Sequence, residues 1–532
     1  MLLSLCNVCA LMFLDTDAGD SSLFSSLQPT LVQQLPKESV EWRRSYGRPP
    51  KMINLEANFI SFKEELLPKE GSKALLTFPF LHIFWTDCYD SEMYKTSTKE
   101  EILRWQNALR GRGSSDWLIV LVEVESRRKS KPIVLPRMAI VDKIRNDFCN
   151  KQNDRVVVLN DPLRESARAQ ESWQAFLSRL RLLLLASFTR NLGHFEDDMR
   201  ALRERRTNPN WSFAHYFMVQ EELAFVFEML KQYEDALVQY DELDALFTQY
   251  IVNHGAGDPT EWVSSFCHPV CHWTGLALWR PIDMVRRELV QKGCASLLDL
   301  RSYLFSRQCT LLLFLQRPWE VAQRALELLH NSVQELHLLE IPLPLGAVDC
   351  WVYISCLEVL QRIESFCDNN QNDMFAVYAA GLRAYAREKL HGLGNLCGLM
   401  SCKGPTSEEL NRTVDLLAGL SNDTEMVNNL NNPSKRLREA LSSTEAFEKH
   451  YLELSEVAMG TYKHIGRLRS ARLIGKELAD FHMRKCEPRK AEGYLIDALK
   501  TYRAESWSLL ISHTRRQLAA CQSQLGNVQT YP

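Results

Sequence analysis

The chain has 532 residues, of which 45% are hydrophobic and 24% are charged. This composition argues against a disordered, collagen-like or membrane-embedded protein, and the length predicts several domains. Its 63 basic and 66 acidic residues leave a formal net charge of −3, so the charge balance gives no reason to expect nucleic acid as a partner.

The cysteines and the first residues bear on the compartment. Fifteen cysteines are scattered along the chain without a repeated spacing, a pattern that favours reduced thiols in the cytosol over a disulfide framework. The stretch Met1–Leu14 is apolar, but no Lys or Arg precedes it and Asp15, Asp17 and Asp20 follow it. We therefore expect a buried edge strand or a variable first segment there, not a secretory signal.

From about Met52 to Arg190 the pattern alternates between strand and helix. Nearly continuous apolar runs predict buried strands, whereas apolar residues three and four apart predict helices. The predicted strands are Leu75–Trp85, Trp117–Val124 and Arg155–Asp161, and the predicted helices carry Ile102, Trp105 and Leu109, then Ile140, Ile144 and Phe148, and then Gln170–Phe188. Thr98 is the expected N-cap of the first of these helices. The order predicts a mostly parallel sheet with helices on its faces.

A nucleotide site on this sheet would need a glycine-rich loop directly after a strand. The nearest match, Glu70–Lys73, precedes a strand and lacks the first glycine. The sheet is therefore interpreted as structural, with a nucleotide-handling enzyme kept as the alternative. Two basic clusters, Arg127–Lys131 and Trp42–Arg44, could contact anionic lipid or a partner, or could be solvated surface.

From Phe213 onward the apolar residues follow the period of helices. Leu223–Leu246 predicts two helices in which a small Ala lies between larger apolar residues, the packing of a tetratricopeptide unit. The same frame recurs twice more, and the proposed repeat positions are Tyr233, Ala236 and Tyr240, then Trp319, Ala322 and Leu326, then Pro488, Ala491 and Leu495. Because the separations are not multiples of one short repeat, we expect an irregular solenoid.

Polar breaks at about Asn253–Pro281 and Ser401–Pro433 interrupt the helical pattern. The predicted fold class is an α/β N-terminal domain followed by an all-α tetratricopeptide-like solenoid. The predicted divisions are a variable segment 1–50 that could contribute a first strand, an α/β domain 51–192, a first solenoid part 193–400, a polar linker 401–433 and a second solenoid part 434–532.

One segment has the residue types of a metal site. Cys267, His268, Cys271 and His272 fall within six residues, but Pro269 disfavours a helix there and no second ligand pair is visible. A tetrahedral zinc site usually draws its second pair from a distant segment. We therefore predict no metal, no cofactor and no catalytic residues, since no nucleophile or metalloprotease motif occurs either.

Several long segments together resemble the subunit-10 family of the transport protein particle (TRAPP) complex. They are EWRRSYGRPPKMINLEANFISFKEELLPKEG, IVDKIRNDFCNKQNDRVVVLNDP, MVQEELAFVFEMLKQYEDALVQYDELDALF, LLDLRSYLFSRQCTLLLFLQRPWEVAQRALELLHN, LNRTVDLLAGL and LSSTEAFEKHYLEL. The resemblance runs from about Asp17 to the C-terminus. Met1–Leu14 departs from the family pattern, and the family continues past GNVQTYP, which resembles a truncated or alternative end.

The resemblance implies a large, non-catalytic subunit of the TRAPP II assembly, which tethers vesicles in Golgi and endosomal traffic and promotes nucleotide exchange on Rab-family GTPases. The implied partners are the small core subunits and the other large TRAPP II subunit, with Rab GTPases served indirectly. The implied location is cytoplasmic and peripheral at the Golgi apparatus, with membrane contact as a further expectation. A stand-alone peptide-binding repeat protein is a second alternative.

Overall fold

A computed structural model gives the fold of the chain. It describes residues 13–43, 49–67, 79, 81–111, 116–123, 139–149, 155–160, 162–164, 166–206, 208, 210–257, 261–270, 272–280, 282–366, 372–400, 404–420 and 432–526. The chain divides into two compact units, Met1–Gln239 and Tyr240–Pro532. A parallel sheet with helices characterises the first unit and helices alone build the described part of the second, which confirms the predicted fold class. The finer divisions stay predictions.

The first unit is built on a five-stranded parallel sheet. Its strands are β1 (Phe13–Gly19), β4 (Ala57–Ser61), β5 (His82–Thr86), β6 (Trp117–Glu123) and β7 (Val156–Asn160), in the order β4-β1-β5-β6-β7, and β2 (Val40–Trp42) pairs with β3 (Lys51–Ile53) in an antiparallel ribbon. Its helices are α1 (Ser21–Gln34), α2 (Lys99–Gly111), α3 (Ile140–Phe148), α4 (Ala167–Glu204) and α5 (Phe213–Met229), and α6 (Tyr233–Gly255) begins before the unit ends.

Both faces of this sheet are covered, as expected for parallel strands. On one face Phe84 of β5 packs against Trp105 of α2, with ring centroids 5.3 Å apart, in a core that also includes Ile144 of α3. On the other face Trp85 lies between Phe24 of α1 and Phe176 of α4, at 5.6 and 5.7 Å. Successive residues of one strand thus contribute side chains to two cores, one on each face of the sheet.

A buried arginine of α4 links this helix to α1 through hydrogen bonds. Arg181 donates through Nε to the carbonyl of Leu35 at 3.1 Å and through Nη2 to that of Gln34 at 3.0 Å. These carbonyls belong to the end of α1, where backbone acceptors lack helical partners. Trp173 of α4 adds a hydrogen bond to the side chain of Gln34 at 2.6 Å.

Several predictions for this unit need correction. Most of the predicted edge strand at Met1–Leu14 lies outside the described residues, which begin at Phe13. The strand that does begin there, β1, lies between β4 and β5 and is therefore an interior strand. Thr98 is not an N-cap, because a helical turn at Ser91–Met93 and a π turn at Tyr94–Thr98 already precede α2.

Two further differences concern extent and exposure. Helix α4 runs from Ala167 to Glu204, well past the predicted end at Phe188. Trp42 is 3% exposed and donates to Thr189 Oγ1 at 2.9 Å, so it is not the exposed docking residue that the sequence suggested. Glu70–Lys73 and the cluster Arg127–Lys131 lie outside the described residues.

The second unit continues with helices. They are α7 (Met284–Gln291), α8 (Leu297–Phe314), α9 (Pro318–Leu338), α10 (Ala347–Glu364), α11 (Asn372–Leu396), α12 (Ser407–Gly419), α13 (Pro433–Ala440), α14 (Thr444–His464), α15 (Leu468–Arg484), α16 (Pro488–Ala504) and α17 (Ser508–Leu525). Helices that follow one another pack together from α8 to α11 and again from α13 to α17. Helix α10 is buried on nearly all sides, as its apolar sequence predicts.

The predicted polar linker at 401–433 contains a helix. In α12 the Thr406 side chain caps the N–H of Glu409, and the Glu409 carboxylate accepts in return from the Thr406 N–H at 2.7 Å. This capping box starts the helix, and Leu416 is buried beneath it. The polar run at 421–431 lies outside the described residues. No helix in the described part of the chain is long and apolar enough to cross a bilayer.

Candidate interaction sites

The sheet offers one place where ligands usually bind in this topology. Strands β4 and β5 flank β1 on opposite sides, and the carboxyl ends of β1 and β5 form the switch point of such a sheet. Here Gly19 has a φ of 91°, and a Cβ on it would lie 2.1 Å from the carbonyl oxygen of Trp85. The backbone therefore turns tightly from β1 into α1.

The start of α1 at this point is already occupied by the chain itself. The Asp20 carboxylate accepts hydrogen bonds from the N–H groups of Ser22 at 3.0 Å and Leu23 at 3.1 Å. These are the donors that a phosphate would use at a helix N-terminus, and a bound carboxylate would repel it. The geometry thus disfavours a nucleotide at the switch point.

A charged cleft of about 270 Å³ lies in the second unit, between α6, α8 and α9. Its central residue is Arg301, whose side chain is 3% exposed. Arg301 binds both carboxylate oxygens of Glu335, one at 2.9 Å, and also Asp244 at 2.6 Å and Thr248 at 2.9 Å. Beside it, Arg324 pairs with Asp241 at 2.6 Å and Glu320 at 2.8 Å, so three helices are joined by ion pairs.

Burial and ion pairing shift the pKa values of Arg301 and Glu335. Burial acts to lower the pKa of Arg301, but Asp244 and Glu335 outweigh it and the net pKa lies above its ordinary value. Burial raises the pKa of Glu335, an effect that Arg301 only partly offsets. Arg301 and Arg324 thus share the carboxylates of Asp241, Asp244, Glu320 and Glu335, which is the arrangement of a structural ion-pair network.

Within the described residues, five pairs of successive helices are joined by the same three-residue connector. The connectors are Leu230–Gln232, Leu315–Arg317, Ile465–Arg467, Lys485–Glu487 and Glu505–Trp507. Their middle residues have left-handed φ values: Lys231 (56°), Gln316 (58°), Gly466 (75°), Cys486 (59°) and Ser506 (60°).

Each connector closes its helix with the same pair of backbone hydrogen bonds. In the fourth, Glu487 N–H donates to the carbonyl of His482 at 2.9 Å and Cys486 N–H donates to that of Met483 at 3.2 Å. This is a Schellman motif, which fixes the direction in which the next helix leaves. Gly466, Cys486 and Ser506 recur every 20 residues, so the last four helices form a regular series that the sequence prediction of an irregular solenoid did not include.

The connectors locate the predicted repeat positions. Ala236 and Ala491 each lie five residues after a left-handed residue and are 0% exposed. In the second repeat that position is Val321, one residue before the predicted Ala322, and both residues are 0% exposed.

The other predicted repeat positions also differ in burial between the second repeat and the other two. Tyr240 and Leu495, which each lie nine residues after a left-handed residue, are buried, and Tyr233 is partly buried. Trp319 and Leu326 are only partly buried, whereas Ala325 is 0% exposed. Pro318 takes the first position of α9, where proline is favoured, as Pro488 does in α16.

The segment Cys267–His272 contributes Cys267, His268 and His272 to the described part of the chain. Among the described residues no three His, Cys, Asp or Glu side chains lie together in a way that could hold a metal ion. Cys271 lies outside the described residues.

Comparison with known proteins gives two family matches. Residues 13–206 match the family described as "Trafficking protein particle complex subunit 10-like, N-terminal", and residues 399–531 match "TRAPPC10/Trs130, NTS-like domain". Together these matches cover more than half of the chain.

Individual relatives agree with these matches. The chain is 66% identical to trafficking protein particle complex subunit 10 of Homo sapiens over 517 residues, which are 97% of this chain and 41% of that protein. It is 37% identical to the Drosophila melanogaster subunit 10 over 535 residues, covering 97% of this chain and 47% of that protein. It is 25% identical to the trafficking protein particle complex II-specific subunit 130 homolog of Oryza sativa subsp. japonica, over 65% of this chain and 27% of that protein. The chain thus spans about two fifths of the length of its human relative.

Proposed function

Because the chain belongs to the trafficking protein particle complex subunit 10 family, we propose that it is a non-catalytic scaffold segment of a vesicle-tethering and Rab guanine-nucleotide-exchange complex. The proposal rests chiefly on the 66% identity to the human subunit across 97% of this chain. The proposed partners are the small core subunits and the other large TRAPP II subunit. Rab GTPases are served through the complex, in Golgi and endosomal traffic.

The helical repeats support a holding role. In the last four helices the connectors fix each turn, and side chains tie neighbouring helices together at the surface. Arg472 of α15 binds Asp497 of α16 at 3.0 Å, and Gln517 of α17 donates to Asp480 of α15 at 3.0 Å. Outward-facing side chains are therefore held at fixed spacings, which pre-organises a surface for a partner. We propose that the small buried residues Ala236, Ala322 and Ala491 allow close packing of neighbouring helices in the three predicted repeats.

Apolar side chains remain at the surface of this series. Leu473 is 57% exposed, Ile496 48% and Leu509 86%. Scattered exposed apolar residues are common, but large apolar side chains on successive helices suit a surface that a partner covers.

The absence of a catalytic role is supported by the two best candidates for chemistry. At the switch point the Asp20 carboxylate fills the position of a phosphate. In the charged cleft Arg301 and Arg324 are neutralised by carboxylates of the same chain.

Affinity purification tests the proposal. The tagged chain is expressed in cultured cells, and co-purified proteins are quantified by mass spectrometry against a tag-only control. We expect enrichment of small TRAPP subunits. Recovery at the level of the control would contradict assembly through this segment.

A second assay separates a scaffold from an enzyme. The purified chain is mixed with labelled GTP or ATP, and separately with a Rab protein loaded with fluorescent GDP. We expect no binding at micromolar nucleotide and no acceleration of GDP release by the chain alone. Saturable micromolar binding would favour the nucleotide-handling alternative.

A further inference from the structure

Two connectors lie side by side at one end of the last four helices, the one between α14 and α15 and the one between α16 and α17. Arg469 links them, because its Nε donates to the Glu505 carboxylate at 2.8 Å and its Cζ lies 4.5 Å from the centre of the Trp507 ring. The two connectors and the residues next to them, 463–469 and 503–509, therefore form one continuous surface. We call it the connector edge.

Large apolar side chains of the connector edge are exposed to solvent. Leu509 is 86% exposed, the highest fraction of any large apolar residue that the structure describes. Leu468 is 43% exposed and Trp507 is 41% exposed. Leu468 and Leu509 lie in the first turns of α15 and α17, and Trp507 directly precedes α17. The three side chains thus place apolar surface at the ends of helix pairs, where covering it would be favourable.

The connector edge is also positively charged. It contains the cations Lys463, Arg467, Arg469 and Arg503 and a single carboxylate, Glu505, which gives it a net charge of 4 − 1 = +3, whereas the whole chain carries −3. Glu505 pairs with Arg469. The other three cations are exposed, and none of them has an ion pair with a carboxylate among the described residues. The edge therefore attracts an anionic partner.

A membrane with anionic lipids matches both properties of this edge. It presents a layer of phosphates and, within about 5–10 Å, an apolar layer. Tryptophan side chains favour the boundary between these layers, and the cationic ends of Lys and Arg stay at the level of the phosphates. A protein segment rich in carboxylates would match the cations but would leave the Leu468, Trp507 and Leu509 side chains without an apolar counterpart. The combination therefore favours a lipid surface.

From this we propose that the connector edge docks on an anionic membrane surface, with Trp507 and Leu509 inserted among the headgroups. Lys463, Arg467 and Arg503 then lie against lipid phosphates, where each strengthens binding. The proposal rests on this surface and not on the proposed assembly. Vesicle binding by the purified chain and recovery of small subunits from cells are therefore independent outcomes.

Co-sedimentation with vesicles tests the proposal. The purified chain is mixed with vesicles of phosphatidylcholine, with and without phosphatidylserine. We expect saturable binding that requires phosphatidylserine and weakens as salt is added. The chain contains 12 tryptophans, so the emission of Trp507 is taken as the difference between the wild type and Trp507→Phe. This emission should shift to shorter wavelength on binding and be quenched by brominated lipid. Absent binding, or equal binding to both kinds of vesicle, would overturn the proposal.

Variants at exposed positions locate the contact. Leu509→Glu should weaken vesicle binding roughly tenfold or more, because an apolar side chain no longer enters the membrane. Ile496→Glu is the matched control, since Ile496 is 48% exposed in the middle of α16 and should leave the affinity unchanged. Equal losses in these two variants would contradict a contact at the connector edge.

A double variant measures the electrostatic part. Arg467→Gln with Arg503→Gln should weaken vesicle binding roughly 30-fold, since each cation near an anionic membrane strengthens binding about fivefold. Thermal unfolding should match the wild type, because both side chains are exposed. Unchanged affinity in the double variant would overturn the proposal. Binding to poly-glutamate but not to vesicles would overturn it too, and would assign the edge to an acidic protein.

Discussion

The parallel sheet of the first unit and the last four helices of the second unit bury their apolar side chains in different ways. In the sheet, neighbouring residues of one strand, Phe84 and Trp85, face two cores that together touch α1, α2 and α4. In the helical series, Ala491 and Leu495 share a small core with α15 and α17 only. A destabilising core substitution should therefore affect the whole sheet in the first unit. In the helical series it should affect only the adjacent helices, as in other repeat proteins.

The largest expected effect is that of Trp85→Ala. Removing this 0% exposed ring should cost about 3–5 kcal/mol in the free energy of unfolding. Hydrogen exchange followed by mass spectrometry should show faster exchange in all five strands of the sheet. Trp85→Phe is the control, because it keeps most of the ring and removes a buried N–H that has no partner among the described residues. Faster exchange confined to β5 would contradict a shared core.

Arg301→Leu should have the next largest effect, because it leaves the buried Glu335 carboxylate without its cation. It should lower the free energy of unfolding by about 3 kcal/mol. Exchange should rise in α6, α8 and α9 and stay unchanged in α14–α17. The double variant Arg301→Leu with Glu335→Leu should recover much of the loss. If the double variant is as unstable as the single one, the ion pair is not the cause.

Acid should weaken the sheet through His82. Burial lowers the pKa of His82 to about 4, although the nearby Asp116 acts to raise it, whereas an unfolded histidine titrates near 6.5. As pH falls from 6.5 towards 4 the unfolded state binds the proton first, so stability is lost in this window, by at most about 3 kcal/mol. Urea unfolding of the wild type and of His82→Gln should differ in pH slope there. Equal slopes would remove His82 as the source.

Trp319→Ala should have a smaller effect. The ring is only partly buried and stacks on Tyr378 with centroids 6.1 Å apart, an interaction worth about 1 kcal/mol. A double-mutant cycle with Tyr378→Ala measures this coupling from thermal or urea unfolding. A cost near that of Trp85→Ala would mean that the ring lies in a core.

The connectors should give the smallest changes. Ser506 has a φ of 60°, a conformation that costs an L-residue about 1 kcal/mol and glycine very little. Ser506→Gly should therefore stabilise α16 and α17 by about 1 kcal/mol, and Gly466→Ala, at a φ of 75°, should destabilise α14 and α15 by a similar amount. Local exchange rates report both. Opposite signs would mean that the connectors are not strained.

Sequence reasoning succeeded where local pattern and burial agree. Strands β5, β6 and β7 are nearly continuous apolar runs, and α2 and α3 carry apolar residues at helical spacing, so each was recognisable. Strand β1 was misplaced because its sequence FLDTDAG is polar in part. Helix α12 was taken for a linker, although Thr406 and Glu409 have the spacing of a capping box.

The candidate sites were harder to predict from the sequence than the strands and helices. Arg301 and Glu335 lie on different helices, and only the packing of α8 on α9 brings them together. The connectors carry Lys, Gln, Cys or Ser at four of the five left-handed positions, so no glycine pattern announces them. The 20-residue spacing of Ala471 and Ala491, both 0% exposed, was the available signal for the regular series.

The shared connector also bears on how such a chain changes over generations. Because backbone hydrogen bonds close each junction, a new side chain at its middle position costs only about 1 kcal/mol, and a helix with its junction can be duplicated or deleted with changes confined to the helices next to it. Relatives of this chain should therefore differ in helix number more readily than in the angle between adjacent helices.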